Sequence, residues 1–357
     1  MKQTTVRTPS YWIALWLLLG VVMIIIQIVI GGITRLTGSG LSITEWQPIL
    51  GALPPLNEAD WQQAFDAYKE IGQYKQLNFH FTLADFKFIY FWEWFHRLWA
   101  RLIAVAFAIP FVLFLVKGFF RRMMILPMAV LFLLGGLQGA LGWIMVKSGL
   151  NEEALFVSHY RLAIHFMAAL VLLCYTLWFA LKLIVPEGQL AIASGRQKQL
   201  VITVIFLLTI QLVFGAFMAG LKAAAAAPTW PDLNGSWWPQ WPQDRPFNDP
   251  LLIQFIHRSL AYVVAVLTFY WWWQARKINP TKWFRVFHPL PLVLTLLQVL
   301  LGIATVLFSA DRYALIGLGA AHQFTAILLL LSWVMTFYAV HRSSRANDAG
   351  FQQISSK

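Results

Sequence analysis

Three ionisable side chains fall within five residues, Glu93-Trp94-Phe95-His96-Arg97, in a stretch otherwise apolar enough to cross a bilayer. A charged group in hydrocarbon costs about 2 kcal/mol or more, so such groups persist there mainly where a function requires them. Glu93 and His96 are three residues apart, and a helix would stack them on one face about a turn from each other. A carboxyl beside an imidazole can move protons or steady a positive charge. The competing explanation is a pair of polar residues bonded to a neighbouring helix. Recurrence argues against it, because Gln254-Phe255-Ile256-His257-Arg258 repeats the stretch in the second half of the chain.

More than this stretch recurs. Gln27-Ile-Val-Ile-Gly31 matches Gln211-Leu-Val-Phe-Gly215, Gln138-Gly-Ala-Leu-Gly142 matches Gln298-Val-Leu-Leu-Gly302, and Ile164-His165-Phe166 matches Ala321-His322-Gln323. His165 follows His96 by 69 residues and His322 follows His257 by 65. Four features in one order read as a tandem duplication of a four-helix unit, and an even number of spans per unit makes the repeat parallel. The halves fall at residues 1–185 and 199–345. In each, two histidines lie about two turns inside the outer ends of their helices, roughly 10 to 15 Å deep. Two imidazoles at matched depth on facing helices are the arrangement that grips a haem iron from both sides. Zinc would want a third and fourth ligand, and a proton path would not require matched pairs.

The two halves also differ. Glu93 in the first half stands where Gln254 stands in the second, and only the carboxylate can take protons or offset a cation by charge. Arg97 and Arg258 directly follow their histidines, and haem propionates or snorkelling to the headgroups would satisfy them. His159 precedes His165 by six residues and so points about 240° away around the helix. His80, His288 and His341 fall in a loop or at inner helix ends, and none of these four histidines is assigned a role.

Positioning these residues requires membrane-spanning helices. Of 357 residues, 59% are hydrophobic and only 12% charged, and eight apolar runs approach or exceed the roughly 20 residues that cross a hydrocarbon core. The expected fold is an all-α integral membrane protein of eight spans, arranged as two tandem four-helix bundles. The first span covers 11–34, the second 88–116 and the third 123–146, with the fourth starting at His159. The longest connection, 35–87, carries Trp46, Pro48, Pro54 and Pro55 and a short surface helix near 57–71.

The net charge of +12 sits in segments flanking the spans, so it orients the chain rather than binding nucleic acid. Lys2, Arg7, Lys117, Arg121, Arg122, Lys182, Arg196, Lys198, Arg276, Lys277, Lys282, Arg285, Arg342, Arg345 and Lys357 fall on one side, opposed only by Glu187 and Asp348. Most acids fall on the other side, among them Glu45, Asp66, Glu152 and Asp249. Both termini are therefore expected in the cytoplasm. Only ten residues precede the first apolar run, which favours a bacterial plasma membrane over an organelle with a transit sequence. The single cysteine, Cys174, falls in mid-span and reads as a packing residue; Trp92, Trp237, Trp238 and Trp241 read as interfacial belt.

Together, Glu93-Trp94-Phe95-His96-Arg97, Gly31-Gly32-Ile-Thr-Arg35-Leu-Thr-Gly-Ser-Gly40-Leu-Ser, Tyr160-Arg161-Leu-Ala-Ile-His165 and Thr229-Trp230-Pro231-Asp232 resemble the haem A synthase family over nearly the whole chain. The resemblance implies oxidation of a ring methyl of haem O to a formyl group, with oxygen from water, giving haem A for terminal oxidases. It implies that His96 and His165 hold the haem O substrate, that His257 and His322 hold a permanent haem b, and that Glu93 is the essential glutamate. Having no cysteine pair in the first outer loop, the chain resembles the cysteine-free, mitochondrial-like branch. Haem O synthase and an electron-transfer partner are the expected associates beside the bilayer, and self-association is left open. The rival expectation is a di-haem b-type electron-transfer subunit that oxidises quinol. It accounts for four histidines but not for the Glu93/Gln254 asymmetry or the enlarged first loop. A transporter built from parallel repeats would place its polar residues at the midplane.

Overall fold

The computed structural model describes residues 9–45, 50–186, 190–240, 244, 246–278 and 280–341. Lys2, Arg7, Glu187, Arg342, Arg345, Asp348 and Lys357 of the charge pattern, and Trp46, Pro48 and Trp241, lie outside them. Ten α-helices account for most of the described chain: α1 Pro9–Leu36, α2 Glu58–Lys69, α3 Leu83–Val116, α4 Arg122–Lys147, α5 His159–Ile184, α6 Gly195–Gly220, α7 Pro250–Ala275, α8 Lys282–Phe287, α9 Leu290–Leu307 and α10 Arg312–His341. Eight segments are long and apolar enough to span a membrane, with α8 and α9 together forming the seventh and α2 excluded.

Local chemistry sets the helix starts. Asn57 caps α2, Ser194 and Gln197 close a capping box on α6, and Asp249 caps α7 with Pro250 in its first turn. α3 begins at Leu83, five residues before the expected start, because Thr82 and Asp85 form a capping box there. Its first turns leave the apolar slab and join a small core with α2, in which Leu41, Phe65, Tyr68, Phe86 and Ile89 are buried. Burial pushes the Tyr68 hydroxyl up to about 12, and it remains a neutral donor to Gln73 at 2.9 Å. Gln73 in turn donates to Leu155 O, and Gly72 N to Asn151 O at 3.0 Å, so the long first connection is tied to the α4–α5 turn as a cover.

Association of apolar helices inside lipid rests on close packing and polar ties rather than on the hydrophobic effect. α1 and α3 are tied along their length. Trp16 Nε1 donates to Ala106 O (2.9 Å), Trp99 Nε1 to Met23 O (2.9 Å), Gln27 Nε2 to His96 O (3.2 Å) and Thr34 Oγ1 to Trp92 O (3.1 Å). α1 also packs on α5, and α5 on α4; in the second half α6 packs on α7 and α10, and α9 on α7 and α10. The halves meet where α5 touches α6 and α10, and α1 touches α10, around Val21, Ile24, Leu173, Val204, Leu208, Ile327 and Trp333. Gln323 on α10 crosses this seam and donates to Ile28 O on α1 at 3.0 Å.

Candidate functional site

All four histidines lie toward the helix ends that carry the long connections, called here the loop face. His165 and His257 sit about two turns into α5 and α7, His322 nearly three into α10 and His96 nearly four into α3, whose start extends into the cover. Each ring rests on the helix of the preceding span. A Cβ on Gly31 of α1 would come 2.9 Å from His96 Nε2, and one on Gly142 of α4 2.9 Å from His165 Cε1. The same approach is 3.3 Å for Gly215 of α6 to His257 Cε1, and 3.0 Å for Gly302 of α9 to His322 Cε1. Only glycine leaves room for an imidazole at such range. The residue four positions earlier is a glutamine in every case, one turn along the same helix face, and it also reaches its histidine. Gln27 bonds the His96 carbonyl, Gln138 the ring (3.2 Å to Nδ1) and carbonyl of His165, Gln211 the His257 ring (3.3 Å to Nε2) and Gln298 the His322 ring (3.1 Å to Nε2).

His257 and His322 face each other directly. The centroids of the His257 and His322 rings are 6.4 Å apart with their planes at 68°, and His96 lies within electrostatic reach of His165. Two imidazoles sharing one metal through bonds of roughly 2 Å, with each ring centre about 1 Å further out, would stand about 6 Å apart. Among the described residues no three His, Cys, Asp or Glu side chains converge. The donor set is thus an imidazole pair, which suits haem iron and leaves zinc short of ligands. His257 Nδ1 and His322 Nδ1 are buried without partners, as expected of rings whose hydrogen-bonding is completed only in a ligated geometry. The residues present fit a haem.

Glu93 is 3% exposed, and its carboxylate accepts three hydrogen bonds. Ser42 Oγ (2.8 Å) and the Ile43 amide (2.9 Å) donate to Oε2, and Arg97 Nη2 donates to Oε1 at 2.6 Å. Arg97 also donates to Ile43 O and Glu45 O. The guanidinium thus ties the loop to Glu93. The second half repeats the clamp without the acid. Arg258 donates to Ala227 O and Asp232 O, and Gln254, fully buried, donates to Ala227 O at 3.0 Å. Asp232 closes a turn through the Gly235 amide and Thr229 Oγ1, which donate to its carboxyl and hold it below the usual carboxylate range. Sequence reasoning missed these clamps. Their signal was an Arg one turn after each Glu or Gln, but the partners are loop carbonyls that no residue type announces.

The other histidines stand apart from the pairs. His159 packs on Tyr160 and Phe217 and against Gly220, His80 lies between Phe79 and Phe81 in the cover, and His288 stacks on Phe284 at the opposite face.

Eight apolar spans carrying paired, glycine-seated imidazoles near one face define a polytopic helical membrane protein of haem-binding type. Residues 14–334 match the COX15-CtaA family, described as cytochrome oxidase assembly protein. Over 331 residues the chain is 44% identical to heme A synthase of Rhodospirillum centenum, covering 90% of this chain and 87% of that protein. It is 38% identical to heme A synthase of Flavobacterium psychrophilum (93% and 98% covered) and 39% identical to that of Parvibaculum lavamentivorans (93% and 94%). The chain belongs to the haem A synthase family.

Proposed function

We propose that this protein is an oxidoreductase that converts haem O to haem A, with His96 and His165 holding the haem O substrate and His257 and His322 holding a resident haem b. The observation that carries the division is the contrast between two otherwise matched clamps. At the position one turn before the ring, the first half places a carboxylate with three donors on it, and the second an uncharged amide. Converting a ring methyl and a water to a formyl group releases four electrons and four protons, so the site must offset positive charge and pass electrons to an acceptor. Glu93 supplies a fixed negative charge one turn from His96, oriented by Ser42, Ile43 and Arg97 and shielded from water by the cover. Three of its roughly four acceptor sites are already engaged, which favours charge stabilisation over carrying protons. The haem b, when bound, supplies one-electron transfer. His257 and His322 hold it, and Gln254 does there what needs no charge, tying the loop to α7.

Several further features of this reading have support of their own. The matched Gln, Gly, His and Arg positions support a tandem parallel repeat with halves at 1–185 and 199–345. The excess of Lys and Arg at the face opposite the long connections supports termini in the cytoplasm and haem pockets opening toward the outer leaflet of a bacterial plasma membrane. An electron acceptor in the membrane and a haem O synthase upstream complete the reaction's needs.

Glu93→Gln tests the assignment. The Gln254 clamp shows that an amide can stand at this position and still hold the loop. The variant expressed with a haem O source should therefore fold, keep its b-type absorption and accumulate haem O with little haem A in chromatography of extracted haems. Normal haem A yield from it would remove Glu93 from the chemistry.

A further inference from the structure

Four glutamines on the face of four helices, each one turn before the glycine that seats a histidine, are more than the packing requires. Glycine alone would admit the ring. Each glutamine has a buried amide oxygen, Oε1 of Gln27, Gln138, Gln211 and Gln298, with no partner. The rings they adjoin carry the complementary atom: His257 Nδ1 and His322 Nδ1 are buried and unpartnered. A buried acceptor and a buried donor on neighbouring side chains cost about 1 kcal/mol or more for each group left unmade, and the contact present instead is from the Gln211 and Gln298 amide nitrogens to Nε2 of their rings, at 3.3 and 3.1 Å. Moving that contact from Nε2 to Nδ1 requires the imidazole to reorient, and the same movement frees Nε2. For Gln138 the contacted ring atom is already Nδ1, 3.2 Å from an amide nitrogen that also donates to His165 O at 3.1 Å, so the amide must shift as well as turn to bring its oxygen there.

Building on the haem reading above, we propose that Gln138, Gln211 and Gln298 are positioning residues for His165, His257 and His322, each amide oxygen accepting from the ring Nδ1–H so that Nε2 is presented to iron. A ligating imidazole that donates its second N–H is fixed in tautomer and orientation and becomes a stronger electron donor. Stronger donation stabilises ferric iron and lowers the reduction potential. His96 is the exception, because Gln27 holds its backbone carbonyl at 3.2 Å and, among the described residues, no side chain hydrogen-bonds its ring.

The test uses the purified full-length protein and a redox titration of its haem b absorption, with the ferric low-spin signal read by electron paramagnetic resonance. Gln298→Glu places a stronger acceptor on Nδ1 and should shift the midpoint to lower potential. Gln298→Met, close in shape but with no comparable acceptor, should shift it higher and broaden the low-spin signal. Gln211→Glu and Gln211→Met should repeat the pattern from the other ligand, so a variant that fails to fold still leaves the measurement in hand. Wild-type potentials in the Glu and Met variants, or shifts of one sign in both, would overturn the role, since simple repacking has no reason to separate them. A wild-type protein without b-type haem would instead overturn the haem reading on which the proposal rests.

Discussion

Gly302 and Gly317 show how much a single residue's surroundings decide. A Cβ on Gly302 would meet His322 at 3.0 Å, whereas one on Gly317 of α10 meets nothing within 4 Å. Gly302→Val should therefore displace the imidazole and remove most of the b-type absorption. Gly317→Ala should leave it intact and add roughly 1 kcal/mol of helix propensity, checked by absorption and thermal unfolding in detergent. The sequence made Gly31, Gly142, Gly215 and Gly302 visible as markers of a repeat, each four residues after a glutamine, but not as seats for rings. Which helix faces which is a property of the packing, and periodicity within one helix cannot supply it. The histidines themselves were legible because an imidazole in an apolar run needs a reason to be there. Arg97 was visible for the same reason, but its contacts to Ile43 O and Glu45 O were not, since these are backbone atoms of a loop. The one ring with no amide on it, His96, belongs to the half proposed to take up and release its haem.

At the level of elements, all eight spans were legible from their length and apolarity, and the surface helix α2 from its position after Asn57. The start of α3 was not. Its first five residues are amphipathic and pack on α2, and hydropathy alone assigns such residues to a loop. That extension matters for the site, because it carries Phe86 into the core of the cover, beside Ile89 of the span proper, and so fixes the loop that reaches down to Glu93. The orientation of the spans rests on charge at their flanks. Glu153 lies on the exposed turn between α4 and α5, and Ser194 caps α6 at the opposite face. With Cys174 replaced by Ala, Glu153→Cys should react on intact cells with a membrane-impermeant thiol reagent and Ser194→Cys should not. The reverse pattern would invert the protein in its membrane.

On the scale of the whole molecule, α1, α5, α6 and α10 form a common apolar seam, and Gln323 links the second half to α1 within about one turn of Gly31, on which His96 rests. On the proposed reading, two haem sites held by one seam would exchange electrons while only one of them exchanges its haem. The central claim is this division between a site that is emptied each turnover and a site that is not. Absorption spectra of the purified protein, together with chromatography of its extracted haems, test it on four variants. His257→Ala and His322→Ala should lose the b-type low-spin spectrum, and His96→Ala and His165→Ala should keep it, while all four yield little haem A. Haem b lost from the His96→Ala protein and kept by the His322→Ala protein would contradict the account.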